Sequence, residues 1–376
     1  MPPAPSRALR PDAAVVEGRV VAGVTVLVRG ERIEDVRSGP VPADEERRVE
    51  GTLLPGAIDL QVNGAGGRGV EEATPEALDT VAESVLAGGA TAFLPTLISA
   101  PFETLLGRLE AVAAWIASDP RNGARPLGVH VEGPFLELPG AHPPEHLVDP
   151  TPDRIDALLA AGGPALRLVT LAPDRPGAVD ATRRLTEAGV CVALGHARGV
   201  EHLADCVAAG ARMVTHLFNA MGPLHHRGPG LAGLALDDER LAASLILDGA
   251  HLHPLVARLA WRLLGPERAV LVTDSAPAAG MPDGDYDLSG TPVRVEGGIV
   301  RDGEGRLAGS SLSMRGAVQG LAAAVPGLSA ADVARAISTN AARLLGDGRR
   351  GEIHPGAPAE LCVLDGGGCL SALRIA

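Results

Sequence analysis

The chain has 376 residues, a formal charge of −13 and a pI near 5.3, a balance that argues against a nucleic-acid surface or an anionic membrane. Two Trp, one Tyr and four Phe are too few for base-stacking platforms. All 33 basic residues are arginine, which removes Schiff-base chemistry, the P-loop lysine and any metal pair bridged by a carbamylated lysine.

Residues 12–53 alternate short Val-rich runs with Gly and charged turns, the pattern of short antiparallel strands. Next comes "PGAIDLQVNGAGG" (55–67), where Asp59, Gln61 and Asn63 sit two apart. A regular strand puts these three on one face, opposite Ile58, Leu60 and Val62. Buried amides need partners, so that polar face must look onto something.

From here apolar runs alternate with amphipathic segments. "TPEALDTVAESVLAGG" has Thr74 as N-cap, Pro75 in the first turn, an apolar face of Leu78, Val81, Val85 and Leu86, and a Gly88-Gly89 stop. "TPDRIDALLAAGG" (151–163) repeats the pattern. Strand-like runs lie at 57–63, 91–98, 126–132, 166–173, 190–195, 213–218, 241–248 and 269–274. Eight such units predict an α/β fold, a (β/α)8 TIM-type barrel over 54–347. A doubly wound sheet is the alternative, but "NGAGG" is not its Gly-rich phosphate turn. Strand-like material returns at 291–308 and 351–365. The ends 1–53 and 348–376 are expected to meet in a small β-sandwich domain, and the hairpin at 285–308 either joins it or is an insertion in the barrel.

Barrel active sites lie at the C-terminal ends of the strands. Those ends carry Gln61 and Asn63, Glu132, His196, His216 with Asn219, Asp248 with His251, and Asp274. Glu132, His196 and His216 offer one carboxylate and two imidazoles, a divalent-metal set that leaves a position for water. Asp274 suits a base that takes a proton and later returns it. One strand-end histidine is ordinarily structural, but four such groups on separate strands fit a metal hydrolase. The loop 216–233 adds Arg227, suited to an anionic substrate group. His225 and His226 read as a solvated turn, His202 as an exposed helical residue, His253 as the start of a helix at Pro254, and His354 as outside the barrel. Trp115 and Trp261 read as packing. Cys191, Cys206, Cys362 and Cys369 form no CxxC pair, and neither an apolar leader nor a membrane-spanning run is present. A cytoplasmic protein is expected.

The segments "PGAIDLQVNGAGG", "GVHVEGPFL", "GAHPPEH", "GHARG", "THLFNAMGPLHHRGPGLAG", "DGAHLHP", "VTDSAPAAG" and "LAGSSLSM" occur in this order. Together they closely resemble the N-acetylglucosamine-6-phosphate deacetylase family of the amidohydrolase superfamily. The resemblance implies hydrolysis of a sugar acetamide to the amine and acetate. It implies Glu132, His196 and His216 as metal ligands, Asp274 as base and then acid, and His142 as the group polarising the carbonyl. Asn219, the Ala220 backbone, Arg227 and His251 match the sugar-phosphate contacts. In the family the counterpart of Arg227 reaches in from a neighbouring subunit, which implies a homodimer. Many amidohydrolases carry His-x-His on strand one and bind a second metal there. Gln61 and Asn63 replace those histidines, and amides are poor ligands for zinc or iron. One divalent metal per subunit is therefore expected; zinc fits, as do iron, cobalt and manganese. Alternatives are an amidohydrolase acting on N-acetylgalactosamine 6-phosphate or an N-acyl amino acid, and a non-catalytic sugar-phosphate binder.

Overall fold

The computed structural model describes residues 4–288 and 290–373. Each of the eight apolar runs supplies one strand: Ile58–Val62, Ala92–Ile98, Val129–Glu132, Leu166–Leu171, Cys191–Leu194, Met213–Val214, Ala242–Leu245 and Ala269–Leu271. They pair in parallel in chain order. The ring closes where Val62 bridges Ser275, the Asp274 N–H donates to the Gln61 carbonyl (2.9 Å) and the Asn63 N–H to that of Ser275 (2.8 Å). The eighth strand end is thereby fixed against the first.

Helices α1 (Pro75–Ala87), α2 (Phe102–Ala117), α3 (Pro152–Gly162), α4 (Ala178–Glu187), α5 (Leu203–Ala209), α6 (Gly230–Asp237), α7 (Pro254–Arg268) and α8 (Met314–Ala324) surround the ring. α1 shows why these segments are helical. The Thr74 hydroxyl accepts the Ala77 N–H (3.3 Å), a cap contributing about 1 kcal/mol. Leu78, Val81 and Val85 recur at helical spacing and are buried. Val129, Val131, Val169, Val192, Leu194 and Leu245 pack outward with the helices in one core. Ile58, Leu60, Leu94, Leu168, Ala193, Met213 and Val270 form a second core inside the ring. Trp115 and Trp261 are both buried in helix packing. His253 caps α7, accepting the Leu255 N–H, whereas exposed His202 immediately precedes α5 and makes no side-chain capping bond.

Strand one departs from the regular alternation expected of it. Its register on strand two shifts between Asp59 and Val62, and a bulge of this kind re-aims side chains. Leu60 belongs to the core inside the ring. Asp59 instead borders a cavity with Ser84 and Gly88 at the end of α1 and Met314 at the start of α8. Asp59 thus does not share a face with Gln61. Strand six is also shorter than the run 213–218, because His216 (φ 28°), Phe218 (φ 75°) and Ala220 (φ 48°) take left-handed backbone and leave the ladder.

The chain ends meet as expected, with Leu361–Leu364 pairing antiparallel to Thr52–Pro55. Their strands form the small β-domain expected of the chain ends, connected as one seven-stranded sheet. Two eleven-residue strands, Ser6–Val16 and Glu45–Pro55, run through it. Ser6–Leu9 pairs with one neighbour and Ala13–Val16 with another, so a single sheet surrounds its own core of Leu9, Val26, Ile33, Leu53 and Leu361. The hairpin material is separate: Gly284–Leu288, Thr291–Glu296 and Ile299–Asp302 form a three-stranded sheet of their own. It lies in the chain between the eighth strand and α8, and its core includes Leu288, Val293 and Ala276.

Candidate metal centre and active site

Five of the nine non-glycine residues with positive φ among the described residues are His196 (51°), His216, Phe218, Ala220 and Asp274 (49°). Each such residue costs on the order of 1–3 kcal/mol and persists only where its surroundings hold it. Here the turn-out at the strand end throws His196, His216 and Asp274 into the barrel mouth. They line a cavity of about 170 Å³ with Asn63, Glu132, His142, Asn219, Ala220 and His251.

Three ligand atoms meet there. Nε2 of His196 lies 3.0 Å from Nε2 of His216, which lies 3.0 Å from Oε1 of Glu132; the third side of the triangle is 3.4 Å. All three residues are buried. Donors held about 2.0–2.2 Å from a tetrahedral zinc stand roughly 3.3 Å apart, so the triangle fits a divalent ion. The tautomers agree. The Nδ1–H of His196 donates to the Leu138 carbonyl (2.7 Å), which leaves Nε2 as a lone pair toward the cluster. Two imidazole nitrogens so close need either a proton or a cation between them. His216 Nδ1 is itself buried without a hydrogen-bond partner among the described residues.

Burial lowers His196 to about 4 despite the nearby carboxylate. For His216 burial acts the same way, but the hydrogen bond and charge of Glu132 outweigh it and hold its pKa above the usual value. Glu132 is also opposed by burial, yet contacts from His142, His196 and His216 hold it well below the carboxylate range. It therefore stays anionic, as a ligand must.

Asp274 behaves in the opposite sense. Burial, then the charge of Glu132, push it up to about 6, against His216, His251 and the Asn63 hydrogen bond. Asn63 Nδ2 donates to Asp274 Oδ1 (2.7 Å), fixing one carboxyl oxygen. Gln61 Nε2 donates to Glu132 Oε1 (2.9 Å). These contacts answer what the strand-one amides face: one holds a candidate ligand, the other the candidate base.

His142 lies in a loop but is buried. Its Nδ1 accepts the Ser99 backbone N–H (3.2 Å), and a backbone amide can only donate. The proton therefore sits on Nε2, which is 3.4 Å from Glu132 Oε2 at the cavity wall. His251 is oriented likewise: Asp248 accepts its Nδ1–H (2.7 Å) and the N–H groups of Ala250 and His251. Arg227 is exposed and does not line the cavity, and neither do His225 or His226. His354 is half-buried and does not line the cavity. Reading the sequence missed Ser99 and the Leu138 carbonyl, which orient two of these histidines, and Leu288 and Leu307, which wall the cavity from around the three-stranded sheet. Backbone partners and packing residues carry no chemical signature in a sequence.

Residues 52–374 match the family model described as "Amidohydrolase family". Among curated proteins, an N-acetylgalactosamine-6-phosphate deacetylase of Escherichia coli O157:H7 is 38% identical over 87% of this chain and 87% of its own. The N-acetylglucosamine-6-phosphate deacetylase of Homo sapiens is 37% identical over 95% of this chain and 88% of its own. Among solved structures, a mutant N-acetyl-D-glucosamine-6-phosphate deacetylase from Mycobacterium smegmatis in complex with N-acetyl-D-glucosamine-6-phosphate superposes with a TM-score of 0.91, 32% identity and 98% of both chains covered. With the barrel, the strand-end ligand triangle and these likenesses in agreement, the chain belongs to the amidohydrolase family.

Proposed function

We propose that the protein hydrolyses the acetamide of N-acetyl-D-glucosamine 6-phosphate to D-glucosamine 6-phosphate and acetate. The observation that carries this reading is one cavity holding a fixed-tautomer N–H donor, a half-fixed carboxyl near neutrality and a three-ligand metal triangle. It is supported by curated relatives bearing that name over most of their length.

Amide hydrolysis needs an activated nucleophile, a polarised carbonyl and a proton for the leaving nitrogen. A divalent ion held by Glu132, His196 and His216 would supply Lewis acidity to the attacking water and the carbonyl oxygen. His142 donates its Nε2–H to that oxygen as negative charge develops on it. Asp274 accepts the proton of the attacking water on the oxygen that Asn63 leaves free. As the C–N bond breaks, the same carboxyl returns the proton to the amine, and acetate departs. A pKa near 6 suits a group that must be base and then acid at neutral pH. Zinc fits the donors, as do iron, cobalt and manganese. We read one ion per subunit, which is supported by the Gln61 and Asn63 amides turning donors toward Glu132 and Asp274. We read these two as vacated second-metal positions.

Asn219, Ala220 and His251 line the cavity, and we assign the sugar-phosphate contacts to Asn219, the Ala220 backbone and His251. Its lining, among the described residues, holds no arginine for a phosphate dianion. Exposed Arg227 would supply that charge to a neighbouring subunit in a homodimer, where the exposed Leu255, Leu259 and Leu263 of α7 offer an apolar stripe to the second copy. Four unpaired cysteines suit a cytoplasmic protein.

Acetate release from N-acetylglucosamine 6-phosphate, its galactose epimer and unphosphorylated N-acetylglucosamine tests the reading, with metal content measured on the same sample. Turnover of the 6-phosphates and at least about hundredfold less without phosphate is expected, since charged contacts contribute on the order of 1.5–3 kcal/mol each. Equal rates with and without phosphate would sink it. The epimer is a second reading, favoured by the 38% identical relative that carries the galactose name.

A further inference from the structure

Gln61 is the one residue on strand one whose side chain touches a member of the metal triangle. An amide has two ends: its oxygen could ligate a metal, and its nitrogen can only donate. The Nε2 end must be the one facing Glu132, because an oxygen 2.9 Å from a carboxylate oxygen would be repelled. The other end is occupied as well. The Thr215 hydroxyl donates to Gln61 Oε1 at 3.0 Å, and both residues are buried.

Thr215 is not free to turn away. A Cβ added at Gly195 would lie 2.3 Å from Thr215 Cγ2 and 3.2 Å from Thr170 Cγ2. The threonine methyl therefore fills the space that the missing Gly195 side chain leaves, and the hydroxyl is turned toward strand one. Gly195 and Thr215 immediately precede His196 and His216, so the pair that delivers two ligands also carries the device that aims the third.

We infer that Thr215 is a positioning residue for the metal centre, acting through Gln61 on Glu132. Its hydroxyl occupies the only atom of Gln61 that could bind a metal and holds the opposite end as a donor to the Glu132 oxygen in the triangle. The relay Thr215–Gln61–Glu132 fixes the carboxylate for one ion and commits both ends of the Gln61 amide to protein partners. The inference rests on the metal reading of Glu132, His196 and His216 and is independent of which sugar is the substrate.

The test is zinc affinity of the full-length protein, measured by chelator competition, together with zinc stoichiometry. Loss of a hydrogen-bond partner behind a ligand typically weakens metal binding about 10–100-fold. Thr215→Val, which keeps the methyl packing and removes the hydroxyl, should weaken zinc binding by that factor, and Gln61→Leu should do the same. Thr215→Ser, which keeps the hydroxyl but loses the methyl that aims it, should bind zinc more tightly than Thr215→Val, and the parent should bind one equivalent. Melting temperatures of the zinc-free proteins check folding; should Thr215→Val fail to fold, Gln61→Leu against Thr215→Ser decides. Unchanged affinity in Thr215→Val and Gln61→Leu overturns the inference, as does Thr215→Ser falling as far as Thr215→Val. A parent protein that binds no zinc would instead overturn the metal reading beneath it.

Discussion

Asp274 and Asn63 show how two neighbouring polar groups divide their work. The amide N–H takes one carboxyl oxygen of Asp274, so the proton-carrying oxygen is defined by a contact from strand one. Asp274→Asn keeps the shape and removes the base. Acetate release should fall about 10²–10⁴-fold, the usual contribution of a positioned acid–base group. Substrate binding by calorimetry should persist, and residual turnover within tenfold of the parent would remove Asp274 from this role. His142 was legible as a motif residue only. What makes it a donor is the Ser99 backbone N–H on its Nδ1, which lies 43 positions away in the chain.

At the scale of elements, the bulge in strand one decides which side chains reach the mouth. It is held by Asp59, whose Oδ1 accepts the Gln61 N–H (3.3 Å) and the Thr273 N–H (3.1 Å), while Oδ2 accepts the Thr273 hydroxyl (2.6 Å). Burial pushes the Asp59 carboxyl up to about 7, with the hydrogen bonds opposing. A raised folded pKa means the folded state binds the proton more tightly than the unfolded chain. The stabilisation is then complete below the unfolded pKa near 4 and is lost as pH rises through 7. Its size is on the order of 4 kcal/mol at 1.36 kcal/mol per pKa unit. Asp59→Asn mimics the protonated carboxyl, so it should flatten the decline in melting temperature between pH 5 and 8 that the parent shows. Parallel pH profiles for the two proteins would refute this.

At the scale of the whole molecule, the proposed homodimer would cover the apolar stripe on α7. Leu255, Leu259 and Leu263 are spaced one turn apart on α7, and each is about half exposed. α7 starts three residues after His251, which lines the cavity, so a second copy seated on this helix borders the mouth. Leu259→Glu should convert a dimer to a monomer by light scattering and raise KM for the sugar phosphate. Arg227→Ala should leave the dimer intact and raise KM about 10–100-fold, with little change for an unphosphorylated substrate. A Leu259→Glu protein that remains dimeric would remove α7 from the interface.

The eight strands, their order and the cluster of Glu132, His196 and His216 that could hold a metal were legible in the sequence, because hydrophobic periodicity and strand-end chemistry are local properties. The choice between the two placements of the hairpin material and the outward turn of Asp59 were not. Each depends on which strand a segment pairs with: Gly284–Leu288 with Thr291–Glu296, Asp59 with Phe93. Alternation alone put Asp59 beside Gln61. The pairing of strand one with strands two and eight inserted a bulge and set them on opposite sides of the sheet. The sequence by itself determined which atoms are available for the chemistry. Only tertiary structure decided which of them face one another, since hydrogen bonds between residues 61, 132 and 215 exist only once the barrel has closed.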